Sequence, residues 1–176
     1  MVTHEVHKEL GTWITEVFCG YEIIKDAACT DASCNRRQQV RLYRDLIKSK
    51  PENYCFVDMI IVKDNVIKVI IEIEESGFSP TKIYGKFLTS ALCSYYHFQK
   101  RSIEINKHAA FIQIIAMGEI KKKSIKIMQY QNIEKSIRKI LPIGRIQYYN
   151  LIYGDKSEFL TGTRKAEVID IIKESI

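Results

Sequence analysis

The sequence predicts one α/β domain, residues 1–176, with a mixed central sheet flanked by helices on both faces. Its 176 residues are enough to bury a core without disulfide or metal staples. In the second half of the chain, Val- and Ile-rich runs alternate with segments whose apolar residues recur at helical spacing. The run at 109–117 is almost entirely apolar, which is typical of a central strand covered on both faces.

Helices are predicted where apolar residues recur every three or four positions. In the first of them, Val6, Leu10 and Val17 share one face, and Thr3 can cap the N-terminus. The second ends before Pro51, because a proline disfavours helical backbone in the residue that precedes it. The predicted helices span residues 3–18, 35–49, 81–100, 132–141 and the segment that begins at 163.

Two strands joined by a tight turn give the clearest β signal. Residues 54–63 and 66–75 are rich in Val and Ile, and Asp64-Asn65 between them favours a two-residue hairpin turn. Further strands are predicted at 21–25, 109–117 and 144–153.

The composition is that of a globular protein with a basic surface. The 27 Lys and Arg against 21 Asp and Glu give a formal charge of +6, which favours polyanionic partners. No apolar run approaches the ~20 residues that a membrane span requires, so no membrane partner is expected. The N-terminus has no apolar signal core behind a basic start. We therefore expect a cytoplasmic protein.

The 5 cysteines are scattered and include no Cys-x-x-Cys pair, which argues for a reducing compartment and against a disulfide framework. One alternative is a zinc site built from His4, His7, Cys29 and Cys34, because the two histidines are three residues apart on a predicted helix. The other is that these four residues are separate surface and buried side chains.

The acidic residues of the predicted hairpin carry the functional signal. Strand side chains alternate, so Glu72 and Glu74 point to one face and Glu75 points to the other. Asp58 lies on the partner strand, and only twist or a bulge decides its distance from Glu72. Acidic groups within such apolar strands are unfavourable unless they are paired or bind a cation.

Two interpretations of these carboxylates remain open. Converging carboxylates favour a hard divalent cation with oxygen ligands, Mg²⁺ above all. Alternatively, Glu72 and Glu74 lie on a solvent-facing side and pair with Lys68 or Lys82.

The pattern resembles the motif of the PD-(D/E)XK nuclease superfamily over residues 54–117. That family has an Asp early in a hairpin, then Asp/Glu-x-Lys on the next strand, followed by a helix. Here Val57-Asp58 matches the Pro-Asp pair, and Glu72-Ile73-Glu74 matches the Glu-x-Lys triplet. The resemblance implies a restriction-endonuclease-like αβββαβ core.

The main departure from the family pattern is Glu74, which stands where the motif lysine is expected. Certain type II restriction endonucleases have glutamate at this position, and the sequence is similar to that subgroup. A lysine can instead come from the following helix, where Lys82 and Lys86 lie four residues apart on a face away from Ile83.

The resemblance implies a metal-dependent endonuclease that hydrolyses phosphodiester bonds in double-stranded DNA, namely a type II restriction endonuclease that acts as a homodimer. Asp58, Glu72 and Glu74 would hold Mg²⁺, with Mn²⁺ as a substitute. Glu74 would act as a general base or a further metal ligand, and Lys82 or Lys86 would approach the scissile phosphate.

A basic stripe is predicted on the second helix, at spacings of four, three and four residues. Such a stripe can follow a phosphate backbone, although a solvated helix face would have the same pattern. It consists of Arg37, Arg41, Arg44 and Lys48.

Two other functions fit the same residues. The first is a repair or junction-resolving nuclease of the same fold, which would prefer branched DNA. The second is a DNA-binding module whose carboxylates no longer catalyse, and the missing motif lysine favours it.

Overall fold

A computed structural model describes residues 4–30, 39–47, 50–75, 79–98, 100–118 and 125–176. The chain is a mixed α/β structure with a central mixed sheet flanked by helices, which confirms the predicted fold class. The helices are α1 (Glu5–Val17), α2 (Pro80–Ala91), α3 (Ile125–Ile140), α4 (Lys156–Thr161) and α5 (Thr163–Ser175). Among the described residues, no helix is both long and apolar enough to cross a membrane.

Within the described residues, eight strands form one sheet. They are β1 (Glu22–Lys25), β2 (Val40–Tyr43), β3 (Asn53–Val57), β4 (Met59–Lys63), β5 (Val66–Glu74), β6 (Tyr95–Phe98), β7 (Arg101–Met117) and β8 (Ile146–Asp155). The order is β1-β4-β5-β7-β6-β2-β3, and β8 also pairs with β7. The β5–β7 and β7–β8 pairs are parallel and the others are antiparallel.

A separate apolar core covers each face of the sheet. On one face, α2 and α3 pack against the strands through Phe87 and Tyr130, both fully buried. On the other face, α1, α4 and α5 pack through Leu10, Phe159 and Ile172. The strands between the two cores are buried on both sides, as their continuous Val and Ile runs predict.

The β4–β5 hairpin confirms the predicted turn. Asp64 and Asn65 both have positive φ, 53° and 57°, which a type I′ turn requires. The register then shifts by one residue between Ile61 and Val62, so that Met59 pairs with Ile71. This bulge places Asp58, the next residue, beside Glu72.

The predicted helix at 35–49 is wrong in its described part, because 40–43 form strand β2. Val40 and Leu42 are buried and Arg41 between them is exposed, so the apolar residues follow the two-residue period of a strand. Ile47, near the end of this segment, is 69% exposed and does not face the core. Hydrogen bonding to β3 and β6 determines the backbone of this segment.

Two other predicted elements also differ from the structure. The single strand expected at 54–63 is divided at Asp58 into β3 and β4, which pair with different neighbours. The helix expected at 81–100 ends at Ala91, and residues 95–98 of that range form strand β6. The sequence Tyr95-Tyr96-His97-Phe98 is rich in aromatic residues, which favour strands.

We predict opposite effects of alanine at two helical glycines. A Cβ on Gly11 of α1 would lie 2.3 Å from the backbone oxygen of Cys29, whereas nothing lies within 4 Å of a Cβ on Gly85 of α2. Gly85→Ala should stabilise the protein by about 0.5–1 kcal/mol, because glycine disfavours a helix interior. Gly11→Ala should destabilise it by about 1–3 kcal/mol through overpacking.

Urea denaturation of the two variants and the wild type measures both changes. A Gly11→Ala protein as stable as Gly85→Ala would contradict the close approach of α1 to Cys29.

Candidate metal centre

Asp58 is the single residue that links β3 to β4. Its backbone N–H donates to the oxygen of Ile71 at 3.2 Å, and its backbone oxygen accepts from Asp26 at 2.8 Å. Its side-chain Oδ2 accepts the backbone N–H of Ile73 at 2.6 Å. The carboxylate is therefore fixed against the end of β5, where β4 no longer supplies a partner.

Glu72 is a buried carboxylate on the neighbouring strand. Its side chain faces α2, and Oε1 lies 2.6 Å from Nζ of Lys86. The other oxygen, Oε2, is buried and meets no hydrogen-bond donor among the described residues. Burial, and then the negative charge of Asp58, raise the pKa of Glu72, while Lys86 acts to lower it. One oxygen of a buried acid is thus left for a cation.

Lys86 connects this carboxylate to β3. Besides Glu72, its Nζ donates to the backbone oxygen of Phe56 at 3.0 Å. Burial acts to lower the pKa of Lys86, but the charges of Glu72 and Asp58 raise it above its usual value. The structure therefore brings Lys86, one of the two helix lysines predicted from the sequence, to the predicted carboxylates.

Glu74 lies on the same face as Glu72, as the alternation predicts, and forms an ion pair with Lys82. A cavity of about 10 Å³, room for one water molecule or ion, opens between α2 and the sheet here. It is lined by Glu72, Glu74, Ser79, Lys82, Ile83, Lys86, Gln113 and Ile115. The ion pair of Glu74 with Lys82 matches part of the alternative in which the two acids lie on a solvent-facing side and pair with Lys68 or Lys82. Glu72 differs from that alternative, because it is buried and pairs with Lys86.

The opposite face carries a second polar cluster around Glu75. Nδ1 of His7, on α1, lies 2.6 Å from Oε1 of Glu75, and the backbone N–H of His7 donates to the same oxygen at 3.0 Å. Lys156, at the start of α4, contacts Oε2 at 3.2 Å. Although burial opposes it, the hydrogen bonds from His7 and Lys156 lower the pKa of Glu75.

His7 extends this cluster to Asp58. Its Nε2 lies 3.6 Å from Oδ2 of Asp58. Burial acts to lower the pKa of His7, but Asp58 and Glu75 raise it to about 9. Asp58 therefore lies between an acidic pair on one face of the sheet and a histidine on the other.

Two sets of candidate ligand atoms lie within 4.8 Å of one another among the described residues. They are His4, His7 and Glu75, and Asp26, Cys29 and Asp58. The predicted triad of Asp58, Glu72 and Glu74 is not such a set, although Asp58 and Glu72 are close enough to shift the pKa of Glu72. Of the predicted triad, the structure therefore shows an electrostatic interaction between Asp58 and Glu72.

Sequence analysis overlooked Asp26 and the role of Glu75. A signal for His7 was present, because it shares the buried stripe of α1 with Leu10 and Ile14, where a polar side chain needs a partner. The alternative zinc site was built from His4, His7, Cys29 and Cys34. In the structure, His7 and Cys29 both lie near Asp58 and His4 is exposed. Cys34 lies outside the described residues.

The predicted basic stripe is not helical in the described part of the chain. Arg41 lies on β2, hydrogen-bonded to Gln39 at 2.6 Å and stacked 5.3 Å from the ring centre of Phe56. Arg44 forms a bidentate pair with Glu52, with N–O distances of 2.8 and 3.0 Å. Arg37 and Lys48, the other two members, lie outside the described residues.

The comparisons with known proteins do not assign a family to the chain. No protein-family model matches the sequence, and no curated protein matches it significantly.

The raised pKa of His7 predicts how stability depends on pH. The unfolded value is about 6.5 and the folded value is about 9, so the folded chain binds the proton more tightly. This contribution, on the order of 3 kcal/mol, is present below pH 6.5 and is lost as the pH rises through 9. His7→Gln should flatten the decline in the free energy of unfolding over that range.

Urea denaturation at several pH values measures the decline. His108→Gln, which removes an exposed histidine of β7, should keep the wild-type profile. An equally steep decline in His7→Gln would show that His7 is not the group responsible.

Proposed function

We propose that this chain is a Mg²⁺-dependent endonuclease that hydrolyses phosphodiester bonds in double-stranded DNA, related to the PD-(D/E)XK superfamily. The observation that carries the proposal is the arrangement around Glu72. Asp58 is held beside Glu72 by a hydrogen bond from the Ile73 N–H. The Oε2 atom of Glu72 is buried without a donor among the described residues, and Lys86 pairs with its Oε1 atom.

The order of elements around this pair supports the proposal. Helix α1 is followed by the antiparallel strands β1, β4 and β5, then by α2 and by β7, which is parallel to β5. We propose that these elements correspond to the αβββαβ core that the motif resemblance implies. Strands β2, β3, β6 and β8 would then be additions to it.

The residues fit a hard divalent cation. Glu72 Oε2 and the Asp58 carboxylate are oxygen ligands, and the buried negative charge between them is only partly offset by Lys86. Mg²⁺ is commonly held by one or two carboxylates together with water and substrate phosphate, and Mn²⁺ accepts the same ligands. Two carboxylates in this arrangement therefore suffice.

The chain's own groups divide the remaining roles. Asp58 and Glu72 would hold the Mg²⁺, which when bound would supply polarisation of the phosphate and a lower pKa of a coordinated water. Lys86, rather than a lysine within the strand, stabilises the negative charge that develops on the phosphate. Glu74, on the same face, takes the proton of the attacking water once the phosphate draws Lys82 away from it.

The substrate and assembly follow from the same proposal. The formal charge of +6 favours a polyanion, and exposed Arg41 with the N-terminus of α2 provides phosphate contacts near the site. Cutting both strands of a duplex requires two centres, so we expect a two-fold homodimer. We place its action in the cytoplasm.

We predict that Asp58→Asn and Glu72→Gln each slow cleavage more than about a hundredfold, because loss of a residue that only supports a metal ligand already slows reactions ~10–100-fold. Lys86→Met should slow it about a hundredfold through loss of charge stabilisation. DNA binding should persist in all three. Cleavage of supercoiled plasmid with and without Mg²⁺, beside a gel-shift assay, measures both properties.

The controls are Asp170→Asn and Lys173→Met, which remove an exposed pair on α5 and should cleave like the wild type. Linear product from a single encounter supports the dimer. Full activity of Asp58→Asn or Glu72→Gln would refute the site, and a wild type that binds but never cuts would leave only a DNA-binding module.

A further inference from the structure

We propose that the face of the sheet opposite Glu72 carries a second cation site, for a thiophilic divalent ion of the Zn²⁺ class. Its ligands are the converging atoms of Cys29, Asp26 and Asp58, and His7, which lies next to Asp58 but outside that set, would complete them. The binding part of this inference stands on the described geometry alone, and only its effect on catalysis rests on the proposed function.

The first support is the convergence of three different ligand atoms. One carboxylate oxygen each of Asp26 and Asp58 and the sulfur of Cys29 all lie within 4.8 Å of one another. Ligands ~2.0–2.3 Å from a tetrahedral Zn²⁺ lie roughly 3.3–3.7 Å apart. The three atoms would have to move together by up to about 1 Å to reach that range.

An independent support is the orientation of His7. Its side chain is more than nine-tenths buried, and Nδ1 is fixed by Glu75 at 2.6 Å. Nε2 is thereby directed at Asp58, at 3.6 Å, beyond a normal hydrogen bond but within the ligand spacing of a zinc site. A carboxylate on one ring nitrogen that orients the other toward a metal is the usual arrangement around metal-bound histidine.

The local backbone holds the other ligands in place. Asp26 caps the 3-10 helix Ala27–Cys29, and its Oδ1 accepts from the backbone N–H groups of Ala28 and Cys29. Gly11 allows α1 to approach Cys29 closely, so the thiol is fully buried. Cys29 therefore packs in the apolar core of this face, with the carboxylates of Asp26 and Asp58 close to its sulfur.

The ligand chemistry favours a softer ion than Mg²⁺. A thiolate and an imidazole select Zn²⁺ or Co²⁺, whereas Mg²⁺ prefers oxygen. On binding, the metal–sulfur and metal–nitrogen bonds replace S–H and N–H bonds, and the thiol and the imidazolium each release one proton to solvent. No electron is transferred.

Sharing of Asp58 couples the two sites. An ion held by Cys29 and His7 draws the Asp58 carboxylate toward the α1 face and away from Glu72. If the proposed function holds, micromolar Zn²⁺ should therefore inhibit the Mg²⁺-dependent reaction, and Cys29→Ser should relieve that inhibition.

The direct test is a titration of the full chain with Co²⁺, in which binding is measured by the thiolate-to-cobalt absorption band in the near ultraviolet. The wild type should show the band, and Zn²⁺ should remove it. Cys29→Ser and Asp26→Asn should lose it, whereas Cys19→Ser, Cys55→Ser and Cys93→Ser should retain it. Circular dichroism establishes whether each variant is folded. If Cys29→Ser does not fold, Asp26→Asn provides the test in its place.

A folded wild type without the band, or a band that persists in both Cys29→Ser and Asp26→Asn, would overturn the inference. The cleavage assay separates it from the proposed function. A cobalt band without any Mg²⁺-dependent cleavage refutes the nuclease function but supports the second cation site. Mg²⁺-dependent cleavage without a cobalt band supports the nuclease function and refutes the second site.

Discussion

The candidate site depends on the hydrogen bond from the Ile73 N–H to the Asp58 carboxylate. Val57 belongs to β3, which pairs with β2 at one end of the sheet order, and Met59 belongs to β4, which pairs with β1 and β5 near the other end, so the single residue Asp58 links these two parts of the sheet. Because β4 begins only at Met59, the N–H of Ile73 would otherwise lack a partner. The carboxylate fills that position and is thereby held beside Glu72.

Charge balance then determines which helices pack at this point of the sheet. Glu72 and Glu74 form ion pairs with lysines of α2, and Glu75 pairs with His7 of α1 and Lys156 of α4. Removing one partner of a buried pair typically destabilises a protein by about 3–5 kcal/mol, since the other charge stays buried. The same groups that stabilise the two faces therefore position the candidate ligands.

Local sequence patterns predicted the turn of the β4–β5 hairpin and the face on which its glutamates lie. The register of the strands and the position of Asp58 depend on long-range strand pairing, which those patterns do not contain. The Asp64-Asn65 turn and the common face of Glu72 and Glu74 follow from turn chemistry and side-chain alternation, and the structure confirms both. The one-residue register shift that brings Asp58 to Glu72 has no local signature, nor has the pairing that makes 40–43 a strand. The metal, the substrate and the dimer stay predictions.

The most direct test of the account is whether Asp58 and Glu72 hold one Mg²⁺ together. At ten times its dissociation constant, Mg²⁺ should stabilise the wild type by about 1.4 kcal/mol, roughly 3–5 °C in melting temperature. Asp58→Asn and Glu72→Gln should each remove the shift, and the double variant should lose nothing more, because both act on one ion. The titration is repeated with uncleavable duplex DNA to capture a site that needs the phosphate. An undiminished shift in Glu72→Gln, or no shift in the wild type with and without duplex, would contradict the account.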